Sequence, residues 1–405
     1  MSEPLIVIGN GMAAARLVDE LARRTLGRYA VAVIGAEPRL AYNRVLLSAL
    51  LADEIGRSDI EIKPARWWRD RGVTLRYGVR ATAVDPLARK VTLADGAELP
   101  FSKLVLATGS LPIKLGNPGM DLPGVFTFRD IDDVDTIAAS TAAGRRVVVI
   151  GGGLLGLEAA YGLAKAGADV TVLHLMDRLM ERQLDPYAAA MLKRAVEAKG
   201  ITVRLAAETA RVLGNGRVKA VELKDGSTIA ADAVVIAVGV HANIELARSA
   251  GFAVERGIVV DDRLETSIAG IHAIGECAQH RGTCYGLVEP AYEQAQVLAR
   301  RLAGESVTYP GSVPATNLKV SGVNVFSVGD FLGATEGAEV IVLNDPGTGV
   351  YKKLVVAGDR LIGAVLFGDT ADGLWYLELI RAGSSVARLR DDLVFGRALA
   401  TRVAA

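Results

Sequence analysis

The sequence predicts an α/β fold made of two βαβ units of one plan, followed by a smaller α+β domain. Three observations carry this expectation. An apolar strand runs straight into a glycine-rich turn twice, at Gly9 and at Gly151. Each copy continues to a strand that ends in an Asp-Gly turn and then to an apolar strand that closes on glycine. From Pro310 onward the pattern changes to short β-rich runs divided by turn glycines. The chain has 405 residues, 51% hydrophobic but only 5% aromatic, with 44 glycines, a composition suited to aliphatic strands and helices in more than one domain.

In the first half, residues 5–8 read as a strand and Gly9-Asn10-Gly11-Met12-Ala13-Ala14 as the turn. A helix to residue 21 and a second strand over 29–34 follow. In the second half, a strand at 146–150 meets the turn Gly151-Gly152-Gly153-Leu154-Leu155-Gly156. A helix to residue 166 and a strand over 170–173 complete that unit. Glycines where a strand hands over to a helix mark a Rossmann-like unit. Asp95-Gly96 and Asp225-Gly226 are hairpin turns. The interval from each turn glycine to its closing glycine is 13 residues (109−96 and 239−226). The first half carries about twelve extra residues before its hairpin, since the loop glycines lie 142 apart and the turn glycines 130. That stretch includes Tyr42-Asn43-Arg44-Val45-Leu46-Leu47-Ser48 and is expected to form an added helix around a larger ligand. Downstream, a strand is expected at 270–275, a helix at 290–302, strands at 323–328, 340–343, 352–356 and 361–367, and a helix at 374–381. The domains expected are 1–112 with 244–310, then 113–243, then 311–405.

Bulk properties exclude several classes. Lys plus Arg equal Asp plus Glu at 46 each, so no overall field draws the chain to nucleic acid or to an acidic membrane. Mean hydropathy is +0.30, yet the apolar runs are too short to span a bilayer and suit buried parallel strands. With no charged leader ahead of the first strand, a cytoplasmic location is expected. Two cysteines, Cys277 and Cys284, are too few for a self-contained cysteine-ligated iron–sulfur cluster, and neither neighbours a glycine loop as a redox dithiol would.

The motifs carry chemistry. A glycine turn at a helix N-terminus aims free amides and the helix dipole at an anion, which suits a pyrophosphate. Gly9 to Ala14 and Gly151, Gly153, Leu154, Leu155 and Gly156 are the expected contacts, so two dinucleotides are expected. Glu37, at the end of the second strand, suits the hydroxyls of an adenosine ribose. In the second copy His174 holds that position with Arg178 nearby. That pair is compatible with a 2′-phosphate, or with a plain ribose bonded to His174, so NADH and NADPH stay open. Glu158 either approaches a nicotinamide or only favours its helix N-terminus. Trp67-Trp68 and Trp375-Tyr376 are expected to pack cores rather than flank a flavin. His272, Cys277, His280 and Cys284 have the residue types of a zinc site but lack its spacing, and no metal is expected.

These stretches resemble the two-dinucleotide flavoprotein reductases related to ferredoxin and rubredoxin reductases, of glutathione-reductase-like architecture. More narrowly they resemble the FAD/NAD(P) module of the assimilatory NAD(P)H nitrite reductase large subunit and nitrate reductase electron-transfer subunits. The resemblance is carried by Ile8 to Ala13, Tyr42 to Ser48 and Leu106-Ala107-Thr108-Gly109-Ser110. It continues in Leu179-Met180-Glu181-Arg182-Gln183-Leu184-Asp185, Ala273-Ile274-Gly275-Glu276-Cys277-Ala278 and Tyr285-Gly286-Leu287-Val288-Glu289-Pro290. It implies that Gly9 to Ala14, Glu37, Arg44, Ala81, Ala107, Thr108, Gly109, Arg129, Gly275, Glu276, Leu287 and Val288 hold FAD. Arg44 and Arg129 would pair with its pyrophosphate and Glu276 would reach its ribityl chain. Gly239, counterpart of Gly109, would join the NAD(P) site. Glu276 matches the nitrite-reductase branch, whereas Ala49 stands where ferredoxin reductases often have lysine. The implied activity is hydride transfer from NAD(P)H to FAD with no side chain acting as acid, base or nucleophile. Electrons would then pass to a protein acceptor: a ferredoxin, a rubredoxin, or a nitrate or nitrite reductase partner. Lacking the family's iron–sulfur and siroheme regions, the chain is expected to be an electron-input component. Rivals are a reductase of a small oxidant and a flavin-binding sensor. Oligomeric state stays open.

Overall fold

The computed structural model describes residues 2–401 apart from 26, 142 and 321. The chain divides into two compact units: Met1–Leu47, Ile55–Pro112 and Val240–Ser312 form one, and Ser48–Glu54, Ile113–Gly239 and Val313–Ala405 the other. Each contains one βαβ unit. In the first unit these elements are β1 (Glu3–Ile8), α1 (Met12–Arg24) and β2 (Tyr29–Gly35); in the second, β3 (Arg146–Ile150), α2 (Leu154–Lys165) and β4 (Asp169–Leu173).

The first sheet runs Ile271–Ala273, Lys103–Leu106, β1, β2, Thr74–Tyr77, all parallel. The second runs Val125–Thr127, Ala233–Ile236, β3, β4, Thr202–Arg204, again parallel. The duplication read from the glycines is therefore one of sheet order. It differs in one strand: the outermost comes from late in the chain in the first sheet and from before β3 in the second. Leu5, Ile6, Val7 and Ile8 are all buried, as a strand covered on both faces requires.

Helix α1 buries Ala14, Leu17, Val18 and Leu21, a stripe at helical spacing, and packs against the long helix Val288–Leu302. Its last turn carries Arg23 and Arg24, the sign that complements the dipole, paired with Asp19 and Glu20. Truncating Leu21 to Ala would cost about 2–5 kcal/mol through the cavity left.

Both Asp-Gly turns close hairpins. Lys90–Leu93 pairs with Ala81–Asp85 and Glu98–Pro100, and Val218–Leu223 with Thr209–Gly214 and Thr228–Ala230. Gly96 and Gly226 take φ of +84° and +85°, and Asp95 and Asp225 accept amide hydrogen bonds from two residues on. The segment expected as an added helix is shorter and tighter than that. A 3₁₀ turn over Arg44–Leu46, capped by Asn43, leads into a five-residue helix, Leu47–Leu51. Asp53, at φ +55°, takes the backbone out of the helical region just beyond it.

Helix α3 (Pro186–Glu197) opens with Asp185, whose Oδ1 accepts from the Ala188 amide at 3.0 Å, and with proline at its first position. The C-terminal segment is an antiparallel sheet ordered Ala315–Val320, Val323–Gly329, Arg360–Phe367, β5 (Val350–Ala357), Glu339–Asp345. Helix Gly373–Ala382 covers it, and Tyr376, Leu377 and Phe326 share its core. Trp375 packs against that core and Trp68 is buried in the first unit, the packing roles expected. The strand Ala315–Val320 went unforeseen. Among the described residues no helix is long and apolar enough to cross a membrane, and no cluster of three or more His, Cys, Asp or Glu could hold a metal.

Candidate dinucleotide sites

In the first loop each glycine has its own reason. Gly9 sits at φ +119°, and a Cβ there would lie 2.0 Å from the Ala107 carbonyl oxygen. Chain packing alone demands that glycine. Gly11 is different: its backbone is extended and a Cβ would meet nothing within 4 Å. The space beside it is open, and the amides of Met12, Ala13 and Ala14, at the start of the helix, have no acceptor within it. Asn10 turns away from that space and donates to the Arg39 carbonyl at 3.0 Å.

Other predicted residues surround this loop within the same unit. Gly275, at φ +80°, lies against Ala13, and its amide donates to Gln294 Oε1 at 2.7 Å. Ser110 Oγ donates to Glu276 Oε2 at 2.7 Å, which fixes one carboxylate oxygen. Ala107 is buried under the loop, Thr108 Oγ1 donates to the Asn243 carbonyl at 2.6 Å, and Gly109 turns the chain at φ +68°. Leu287 caps the helix that Val288 begins. Glu37 does not stand alone: Tyr42 Oη donates to its Oε2 at 2.7 Å and Arg44 pairs with its Oε1. The Arg44 guanidinium also lies over the Tyr42 ring, 4.8 Å from its centre. Ala81 opens the hairpin strand opposite Leu93. Arg129 belongs to the second unit, between Val125–Thr127 and the helix Ile131–Ser140, where its amide donates to Asp133 at 2.7 Å.

The second loop repeats the division of labour. A Cβ on Gly151, at φ +125°, would lie 2.2 Å from the Ala237 carbonyl, and one on Gly156 2.0 Å from the Gly151 carbonyl. Gly153 faces open space, just ahead of Leu154 and Leu155 at the start of α2. Gly239 turns at φ +111° beside Ile113. Glu158 is partly buried on α2, and desolvation pushes its carboxyl up to about 7.

His174 is buried, and both ring nitrogens are engaged. Nδ1 accepts from the Gly152 amide at 3.0 Å and Nε2 meets Glu181 Oε2 at 3.0 Å. An Nδ1 that accepts is unprotonated, so the ring is neutral with its proton on Nε2. Arg178 does not join His174; its Nη1 donates to Asp177 at 3.1 Å. The stretch 179–185 clamps the loop from the other side. Met180, at φ +50°, donates its amide to the Gly152 carbonyl at 3.1 Å, and Leu179 and His174 fill the space a Gly152 Cβ would need. Asp185 ends the stretch: besides capping α3, it accepts from Tyr351 Oη at 2.7 Å and lies 3.4 Å from Lys353 Nζ, both on β5.

Sequence reasoning missed Gln294, Asn243 and Glu181 as supports. Gln294 alone left a signal, a polar side chain at helical spacing among Ala291, Ala295 and Leu298. Both loops have the geometry to bind a pyrophosphate, with amides on the open side and a glycine that leaves the approach clear.

Comparison with known proteins agrees with that geometry. A sequence profile described as pyridine nucleotide-disulphide oxidoreductase matches residues 3–298, and one described as rubredoxin NAD+ reductase C-terminal domain matches 314–384. The chain is 43% identical over 385 residues to the nitrite reductase [NAD(P)H] of Bacillus subtilis, covering 95% of this chain and 48% of that protein. It is 41% identical over 369 residues to the assimilatory nitrate reductase electron transfer subunit of the same organism, covering 91% and 48%. The chain thus spans about half the length of these relatives. Among solved structures, a ferredoxin reductase from Rhodopseudomonas palustris superposes with a TM-score of 0.88 at 28% identity, covering 95% of this chain and 96% of that one.

Proposed function

This chain belongs to the pyridine nucleotide-disulphide oxidoreductase family, and from that premise we propose that it serves as the electron-input component of a nitrate- or nitrite-reducing system. It is an FAD-dependent NAD(P)H oxidoreductase. When bound, FAD takes reducing equivalents from NAD(P)H as a pair and passes them on singly.

The chain's own residues hold and orient. The first loop cradles the FAD pyrophosphate through the amides beside Gly11, and Glu37, fixed by Tyr42 and Arg44, meets the adenosine ribose. Glu276, with one oxygen held by Ser110, would face the ribityl chain. The second loop cradles NAD(P)H beside Gly153. The observation that carries this reading is the pair Gly11 and Gly153. Neither is required by packing, and both open onto helix N-termini.

The acceptor is a protein. A ferredoxin or rubredoxin is the second candidate, favoured by the profile match over residues 314–384. Anaerobic titration of the purified protein with NADH and with NADPH tests the first half: the flavin absorbance bleaches. A preparation that bleaches with neither nucleotide refutes it. Mixing the reduced protein with nitrite reductase catalytic components, ferredoxin or rubredoxin, and following acceptor reduction, ranks the partners.

A further inference from the structure

The second loop lacks the acidic residue that usually ends its second strand, and an acid from a later loop lies against the residue that stands there. His174 occupies the position but spends Nδ1 on the Gly152 amide, and its Nε2 proton goes to Glu181. A neutral ring with both nitrogens engaged offers no charge to a 2′-phosphate. The nearby cation, Arg178, is turned to Asp177. Of these groups, Glu181 is an acid with no Lys or Arg paired to it among the described residues. It is partly exposed, and its second oxygen has no hydrogen-bond partner among the described residues. Its backbone is fixed: Met180 just before it is held by Gly152, and Gln183 and Leu184 donate back to the Met180 carbonyl at 2.8 Å.

We infer that Glu181, positioned by His174, is the acceptor for the adenosine ribose hydroxyls of the nicotinamide nucleotide and sets a preference for NADH over NADPH. This rests on the second loop being the nicotinamide nucleotide site. A carboxylate there accepts from a 2′-hydroxyl and repels a 2′-phosphate. The acid thus reaches the ribose from a later loop rather than from the strand end. Arg182 and Arg204 lie exposed close by in sequence to Glu181 and to the end of the sheet, and they are the groups that would favour NADPH if Glu181 did not dominate.

The test is equilibrium binding of NAD+ and NADP+ by calorimetry to the FAD-loaded wild type, Glu181→Gln and Glu181→Arg. The wild type binds NAD+ tighter than NADP+ by roughly 10-fold or more, the range expected when a charged hydrogen bond is replaced by repulsion. Glu181→Gln shrinks the ratio and Glu181→Arg inverts it, while flavin content and thermal midpoint stay near wild type. A wild type that favours NADP+, or variants that weaken both nucleotides by one factor, overturns the inference. Wild type that binds neither nucleotide instead sinks the assignment of the loop, so the two failures are distinct.

Discussion

Replacing Gly9 and Gly11 by alanine, one at a time, should separate folding from cofactor binding. At Gly9 the new Cβ meets two penalties. Its φ of +119° costs an L-residue about 1–2 kcal/mol. Its position 2.0 Å from the Ala107 carbonyl forces backbone to move, and overpacking of that kind costs about 1–3 kcal/mol. Gly9→Ala should therefore lose about 2–5 kcal/mol with or without flavin. At Gly11 neither term applies, because φ is −102° and the added methyl enters open space. Alanine is a poorer N-cap than glycine by about 0.5–1 kcal/mol. It also loses less chain entropy, by about 0.4–1 kcal/mol. The two nearly cancel, so apo Gly11→Ala should fold as wild type does. The methyl stands where phosphate oxygens approach the amides of Met12 to Ala14. Loss of one charge-assisted hydrogen bond, about 1.5–3 kcal/mol, lowers FAD affinity about 10- to 150-fold. Urea unfolding of apo protein by circular dichroism and flavin titration by fluorescence quenching give both numbers. A Gly11→Ala protein that binds FAD as tightly as wild type, or a Gly9→Ala protein of unchanged stability, would refute the reasoning.

Glu158 predicts a pH dependence. Burial raises its carboxyl from 4.5 to about 7, so between those values the folded chain holds the proton that the unfolded chain has lost. Stability falls as pH rises through that window and levels off above it, by about 2–3 kcal/mol after allowing for partial exposure. Glu158→Gln should remove this decline, and urea midpoints at pH 5 and pH 8 measure it. Asp185→Ala strips the cap from α3 and leaves Lys353 buried with only the Leu332 carbonyl beside it among the described residues, for a loss of about 3–5 kcal/mol; Asp185→Asn keeps the cap and should lose less. Thermal midpoints of the two variants, in that order, check the ranking. The thiols should also differ. Cys277 is fully buried with its thiol pushed up by desolvation, whereas Cys284 is part-exposed. Ellman's reagent should label one thiol slowly in the native protein and the second only in denaturant.

Much of the fold was legible because its signals are local. A strand, a turn glycine and a helix stripe lie within thirty or so residues, and Asp95-Gly96 and Asp225-Gly226 announce their own hairpins. Several strands that escaped notice, among them Val125–Thr127, Ser110–Pro112 and Val240–Ala242, are three residues long, too short to show a period. The candidate site was legible in its glycines and not in the side chains that support them. Tyr42 and Arg44 return to Glu37 only because the chain doubles back after β2, and Gln294 meets Gly275 only because the long helix packs on α1.

The two loops show why counting along a motif fails in the second copy. In the first, Ala14 fills the space between helix and strand and Glu37 supplies the carboxylate at the strand end. In the second, Gly156 lets α2 approach the Gly151 carbonyl so closely that no Cβ fits, and Gly152 is gripped by Leu179, Met180 and His174. An acid at position 174 can accept from the Gly152 amide, but only with an oxygen that is then less available to ribose. An imidazole accepts with one nitrogen and donates with the other, so it holds the loop and orients an acid brought from elsewhere. His174 thus joins the Gly152 amide to Glu181, and on the inference drawn above the carboxylate for the ribose comes from Glu181. On that inference the residue that sets nucleotide choice lies seven positions beyond where the motif places it, and the strand end is occupied in holding the loop.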